Sequence, residues 1–358
     1  MKFFSSIAAL VLLAAMASPA VAQQSSPTQV IVEAWSKSPH ADAKSESFTH
    51  WDAEGSIPGS CATCHSGIGL RDFLGADGSP AGSIEGTIPS GGVIDCETCH
   101  NPASQALSSV LFPSGARVEG ITGGAAVCMT CHQGRESTPR VDAAVAGLTE
   151  DQVGAELGFI NVHYAVAGAT QMGTLAKGGY EYPGKSYMGK FEHVPQLSSC
   201  TSCHDPHALV VKFEQCTSCH QVAELTAIRT SKLDFDGDGD VSEGIRAEIG
   251  RLHEALGEAI TAYSKQVIGV PALYAHAYPY YFIDSNGDGQ ASADETVVPN
   301  RYASWTPRLL KAAYNYQFIE QDKGAFAHNP HYALQLLYDS IESLSQAAEI
   351  DMAGLARP

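Results

Sequence analysis

Cys200-Thr-Ser-Cys203-His204-Asp-Pro-His207-Ala-Leu-Val-Val-Lys-Phe-Glu-Gln-Cys216-Thr-Ser-Cys219-His220 decides how the rest of the chain is read. It holds two copies of Cys-x-x-Cys-His within 21 residues. Working outward, the same pattern recurs at Cys61-Ala-Thr-Cys64-His65, Cys96-Glu-Thr-Cys99-His100 and Cys128-Met-Thr-Cys131-His132. All ten cysteines fall in these five motifs, so none is left over for a disulfide framework. Zinc ribbons and thioredoxin-like redox pairs also use Cys-x-x-Cys, but neither needs a His directly after every pair. Attachment of c-type haem does. Two thiols add to the two vinyl groups of the porphyrin, and the next residue, His, binds the iron from the proximal side. The expected cofactors are therefore five haem c, with His65, His100, His132, His204 and His220 as proximal ligands.

The 358 residues carry 39 acidic and 21 basic side chains, a formal charge of −18. That balance excludes a nucleic-acid partner, which would need a basic patch. Residues 1–22 have the pattern of an export signal: Lys2, an apolar run from Ile7 to Met16, then Ala20-Val21-Ala22. No second apolar run is long enough to span a bilayer, so no transmembrane segment is expected. An exported protein, periplasmic or at the cell surface, is the expectation. Covalent attachment suits that setting, because a haem held by packing alone can be lost outside the cell.

Nine histidines remain outside the motifs, and five six-coordinate irons need five of them. The candidates for distal ligands are His40, His50, His163, His193 and His207, all within 36–220, with His328 and His276 outside it. His207 stands three residues after a proximal ligand, so it faces a neighbouring haem more easily than its own. His328 precedes Asn329-Pro330, a helix-start signal. His253 lies beside the stripe Ile249, Leu252, Leu256, Ile260 and is expected to be packed rather than ligating.

Four segments follow: a signal peptide (1–22), a flexible arm (23–35), a pentahaem domain (36–220) and a helical domain (221–358). In the third, 66–95 and 101–127 are rich in Gly, Ser and Pro and are expected as loops. In the fourth, helices are expected over about 242–265, from Thr306-Pro307 with Leu310, Tyr314 and Phe318 on one face, and from Asn329-Pro330 with Ala333, Leu336, Leu337, Ile341 and Leu344. The fold class is thus mainly α with much irregular loop, wrapped around stacked haems.

Residues 284–295 match the twelve-residue calcium loop throughout. Its ligands would be Asp284, Asn286, Asp288, the Gln290 carbonyl and Glu295. Asp234, Asp236, Asp238 and Asp240 begin a second such loop, which has Ile245 where the closing carboxylate belongs. Glu243 is the expected substitute. One or two calcium ions in EF-hand-like loops are therefore expected in the helical part.

The five motifs and Cys203-His-Asp-Pro-His207 resemble the multihaem c-type cytochromes of bacterial respiration and extracellular electron transfer. The stretch Gly324-Ala-Phe-Ala-His-Asn-Pro-His-Tyr-Ala-Leu-Gln-Leu-Leu337 looks like the C-terminal helix of the nitrite reductase and octahaem superfamily. The resemblance implies haems stacked closely enough to pass electrons. Nitrite reductases of that type carry Lys as the proximal ligand of the active haem, whereas all five motifs here end in His.

Three functions follow. The favoured one is an electron carrier, not an enzyme, with no catalytic residues. Its partners would be other cytochromes or an outer-membrane conduit, and oligomerisation is left open. The second is a reductase of a small nitrogen or sulfur species with one open iron. The third is a structural subunit held by calcium.

Overall fold

The computed structural model describes residues 26–121 and 124–358. The expected signal at 1–22 and the first residues of the arm lie outside them. Among the described residues, helices and irregular chain dominate, with three two-stranded antiparallel sheets. Among the described residues no helix is long and apolar enough to cross a membrane.

Three long helices form the frame: α1 (Ile245–Tyr263), α2 (Pro307–Glu320) and α3 (Pro330–Ser345). The caps do what the sequence asks of them. Thr306 Oγ1 accepts the Leu309 N–H and Asn329 Oδ1 accepts the Tyr332 N–H, each followed by a proline that has no N–H to lose. The three helices pack on one another, with Leu252, Leu256, Leu310, Tyr314, Leu336 and Leu337 buried between them. Burying a side chain of this size contributes about 1.5–3 kcal/mol, so this bundle is the main apolar store of the molecule.

The apolar core does not stop at residue 220. It runs without a break from Val110 through Tyr180 into α1, α2 and α3. Polar side chains of the bundle also hold the segment before it. Asn315 accepts the Tyr180 N–H at 2.6 Å and donates to the Tyr180 carbonyl at 2.9 Å. Gln317 accepts the Val162 N–H, Gln335 accepts the Met188 N–H, and Asn329 donates to the Gly189 carbonyl. Gly179 lies so close to α3 that a Cβ there would meet Leu336 at 2.3 Å. These bonds pin a chain with little regular structure of its own.

Two expectations are corrected. The arm at 23–35 is helical over Pro27–Ser36: Ser26 and Gln29 form a reciprocal capping box with Pro27 at the first position, and Trp35 donates to the Ile94 carbonyl. The stretches 66–95 and 101–127 are not all loop. Ser66 caps the helix Gly67–Phe73, Asn101 caps Pro102–Ala106, and Ser109–Leu111 pairs with Arg117–Glu119. Each of the helices Gly67–Phe73 and Pro102–Ala106 is started by a single capping side chain and is too short to show periodicity.

Candidate haem sites

Each motif is built on one helical turn. The helices are Gly59–His65, Cys96–Cys99, Ala125–Cys131, Cys200–Cys203 and Phe213–Thr217, the last running into a turn at Cys219. In the second to fifth motifs the His N–H donates to the carbonyl of the first Cys at 2.9 Å. One turn of 3.6 residues brings both sulfurs of the motif to the same side and sets the His next to them. All ten cysteines are free of disulfides.

The decisive geometry lies between histidines. Every motif His faces one distinct His from elsewhere. Ring centroids are 6.3 Å apart for His132–His40, 5.8 Å for His65–His163, 6.2 Å for His100–His207, 5.8 Å for His220–His193 and 6.3 Å for His204–His328. Two imidazoles bound to one metal from opposite sides, with metal–nitrogen bonds of about 2.0–2.1 Å, have centroids roughly 6 Å apart. Unassisted ring stacking has no reason to give five such pairs at one spacing, so the residues present fit five hexacoordinate irons.

The surroundings fix which nitrogen points inward. His65 Nδ1 lies 2.8 Å from the Ser47 carbonyl, and His328 Nδ1 lies 2.8 Å from Asp322 Oδ1. A ligating His donates its other N–H to such an acceptor, leaving Nε2 for the metal. Burial disfavours a charged His328, but the Asp322 carboxylate outweighs it and raises its pKa. His132 is shifted the other way, down to about 4, by burial and then by the nearby His40, His204 and His328. His163 has φ +66°, a left-handed conformation that costs a non-glycine residue about 1 kcal/mol or more. Its N–H is held by Asn161 Oδ1 and the residue before it by Gln317. At the fourth motif Asp205 Oδ1 accepts the N–H groups of His207 and Ala208, and Leu209 follows at φ +59°. This tight turn leads His207 away from its own motif toward His100. A cavity of about 280 Å³ beside His163 is lined by Arg135, Arg140 and Asn161.

His50 and His276, two of the seven distal candidates, stand opposite no motif His. His50 packs edge-on against Trp51 near Glu46, and His276 is exposed beside Glu320. The ring that faces His204 comes instead from His328, at the end of the helix Ala325–His328, which packs on α1 and α3. His253 stacks on Tyr316 at 4.0 Å and bonds its carbonyl, as a packed core residue. Asp322 escaped the sequence reading, although a carboxylate six residues before a candidate ligand is a visible signal.

The two acidic loops share one internal pattern. Asp284 accepts the N–H groups of Gly287 and Gly289, while Asp234 accepts those of Gly237 and Gly239. Glu295 Oε1 accepts the N–H groups of Ser285 and Asn286. In the other loop those places are taken by Phe235 and Asp236, and the acceptor is Glu248 on α1, not Glu243. Glu248 is fully buried, pairs with Arg229, and brings a carboxylate oxygen within 4.8 Å of those of Asp234 and Asp236. Glu243 is grouped with Asp236 and Asp238 instead. Neither loop is framed by two helices: Tyr281–Ile283 leads into the second as a strand.

A family model described as the doubled CXXCH motif matches residues 90–137, which hold the second and third motifs. Over 354 aligned residues the chain is 26% identical to the C-type polyheme cytochrome OmcB of Geobacter sulfurreducens, and over 358 residues 29% identical to the C-type polyheme cytochrome OmcC of the same species. Each alignment takes in 84% of this chain but only 46% and 45% of the relative, so the chain spans about half the length of the curated relatives it matches. No solved structure matches it. None of these comparisons extends to the nitrite reductase superfamily. Five attachment motifs, two of them inside the family model, and sequence shared along most of its length with polyhaem proteins make the chain similar to the multihaem c-type cytochromes and support that reading of it.

Proposed function

We propose that this protein is an electron relay with five bis-His haems, in an exported respiratory chain. The observation that carries this reading is the set of five His–His pairs at 5.8–6.3 Å. Each haem, when bound, supplies a one-electron iron couple. Cys61, Cys64, Cys96, Cys99, Cys128, Cys131, Cys200, Cys203, Cys216 and Cys219 hold the five groups. His65/His163, His100/His207, His132/His40, His204/His328 and His220/His193 close the axial positions. With both positions closed there is no site for a substrate, and double His ligation keeps potentials low relative to His/Met ligation. Arg135 and Arg140 offer positive charge to the carboxylates of the group between His65 and His163.

Calcium belongs to the same proposal. Asp284, Asn286, Asp288, Glu295 and the Gln290 carbonyl would hold one ion. Asp234, Asp236, Asp238 and Glu248 would hold a second. Asp234, Asp236 and Glu248 bring carboxylate oxygens within 4.8 Å of one another, the spacing a hard, oxygen-seeking cation requires, and the loop at 284–295 shares the same internal hydrogen-bond pattern. The charge of −18 suits redox partners with basic docking patches, met with salt-sensitive rates. Export rests on the signal-like pattern at 1–22.

The test is carbon monoxide added to the reduced holoprotein. The expected result is no shift of the Soret band. A shift amounting to one haem would overturn the relay in favour of a reductase with an open iron. In His328→Ala the same experiment should show one haem binding carbon monoxide while all five stay attached.

A further inference from the structure

The order of the motifs along the chain is not their order in space. The third motif is the centre, because its helix packs on those of two other motifs. Cys131 and Cys64 of the first motif meet across their backbones. The contact is reciprocal at the backbone: Cys64 Sγ lies 3.7 Å from the Thr130 carbonyl, and Cys131 Sγ lies 3.6 Å from the Thr63 carbonyl. The helix Ala125–Cys131 accordingly packs on both Gly59–His65 and Cys200–Cys203.

The fourth motif then leads to the fifth. Cys200–Cys203 packs on Phe213–Thr217, Lys212 donates its N–H to the Cys203 carbonyl at 2.7 Å, and Cys203 and Cys216 sense each other's charge. The second motif is set apart. Its helix Cys96–Cys99 packs on Gly67–Phe73 and Pro102–Ala106. Cys99 lies within electrostatic reach of Cys128 of the third motif.

A thioether sulfur sits on the rim of its porphyrin. Motif helices that pack on one another therefore bring their rims close, and electron exchange is fastest across the shortest gap between rims. We infer that electrons run first–third–fourth–fifth motif, with the second motif joined as a side branch at the third. This inference rests on the five-haem relay proposed above. With haem bound, each step would pass one electron, the iron held at one motif being oxidised from ferrous to ferric as the iron held at the next is reduced from ferric to ferrous. No proton moves and no bond breaks. A one-electron partner outside the protein supplies and removes the charge. The third motif, whose His132 lies near His40, His204 and His328, acts as the junction.

Crystals of the holoprotein, with iron positions located by anomalous scattering at the iron edge, test the order without any substitution. Five irons are expected, with the iron beside His132 the nearest neighbour of those beside His65 and His204. Five irons in which the one beside His65 lies nearest that beside His100 would overturn the order and leave the relay standing. Fewer than five would overturn the relay, and the order with it. A second measurement follows equilibration between haems after a flash of photoreductant. His40→Met, which raises the potential at the junction, should slow equilibration at least tenfold. His207→Met, on the branch, should change it less than twofold. Equal slowing in the two variants would refute a junction at the third motif.

Discussion

Residues 36–106, which precede the main core, and residues 245–345 solve the folding problem in opposite ways. The bundle α1–α3 buries its own leucines and tyrosines, and its helices are long enough for periodicity to announce them. The motif-bearing part has helices of four to eight residues and cysteines left partly or fully exposed. Around the first motif the buried apolar cluster is only Ile57, Ala62 and Ile88. A chain this poor in core falls short of repaying its ordering entropy without help. The difference shows where the stabilising apolar mass must come from: side chains in one region, haem in the other.

The largest expected effect breaks this comparison open. Expressed without haem attachment, the protein should keep slow hydrogen exchange in α1, α2 and α3 and lose it across 36–106. Exchange followed by mass spectrometry checks this. Equal protection in both regions would mean that the motif part has a sufficient core of its own. Cys203→Ala is the local version. It should weaken or abolish attachment at the fourth motif alone, seen as the loss of one haem from the intact mass, with α1–α3 unaltered in circular dichroism.

Next in size, Leu336→Ala should destabilise the holoprotein by about 2–5 kcal/mol, the usual cost of a cavity in a well-packed core. Leu336 is fully buried and touches the close approach at Gly179, so the collapse needed to fill the void is hindered. Denaturant titration measures the loss. A change below about 1 kcal/mol would show that the haem-bearing region, not the bundle, dominates global stability.

How legible each region was in the sequence follows from the same contrast. Thr306-Pro307 and Asn329-Pro330 announced α2 and α3, because cap and apolar stripe agreed. The five motifs were legible because haem attachment is written in consecutive residues. The histidine pairs were half legible: the candidates His40, His163, His193, His207 and His328 face motif rings, while His50 and His276 are paired with none among the described residues, because pairing depends on long-range packing that spacing does not encode. His328 reaches His204 from 124 positions away along the chain, through a helix docked on α1. The helix Pro27–Ser36 was missed because a capping box, not periodicity, starts it. Glu248 was missed because it closes its loop three positions later than the twelve-residue pattern allows.

That last pair of loops gives a finer comparison. Calcium chelation of the holoprotein should lower its melting temperature by about 2–5 °C if both loops bind with stabilisation of the usual size. Glu295→Gln and Glu248→Gln should each remove part of that response, and the double variant all of it. Glu248→Gln should cost more in the presence of calcium, because it also strips Arg229 of its buried partner. Calorimetric titration of calcium into chelated protein gives the site count directly. A melting temperature indifferent to chelation would reduce both loops to acidic turns.

The smallest effect tests the seam between the bundle and the chain before it. Asp151 takes the Arg308 guanidinium at 2.7 and 3.2 Å and the Tyr263 hydroxyl at 2.7 Å, tying the chain before α1 to both α1 and α2. These bonds, led by that of Arg308, hold its carboxyl below the ordinary value of 3.8. A group whose folded pKa is depressed contributes stability above its unfolded pKa and loses it as pH falls through the folded one. The contribution of Asp151 should therefore be complete at pH 5 and disappear below about pH 4. Its carboxylate is partly exposed, so the discounted effect is on the order of 1 kcal/mol. Asp151→Asn should lower the melting temperature at pH 6 by a few degrees and flatten the fall between pH 5 and pH 3 relative to the parent. Parallel curves would show that acid unfolding starts elsewhere, among the carboxylates of the two loops, and that the seam is held by the apolar core running through Tyr180 rather than by charge.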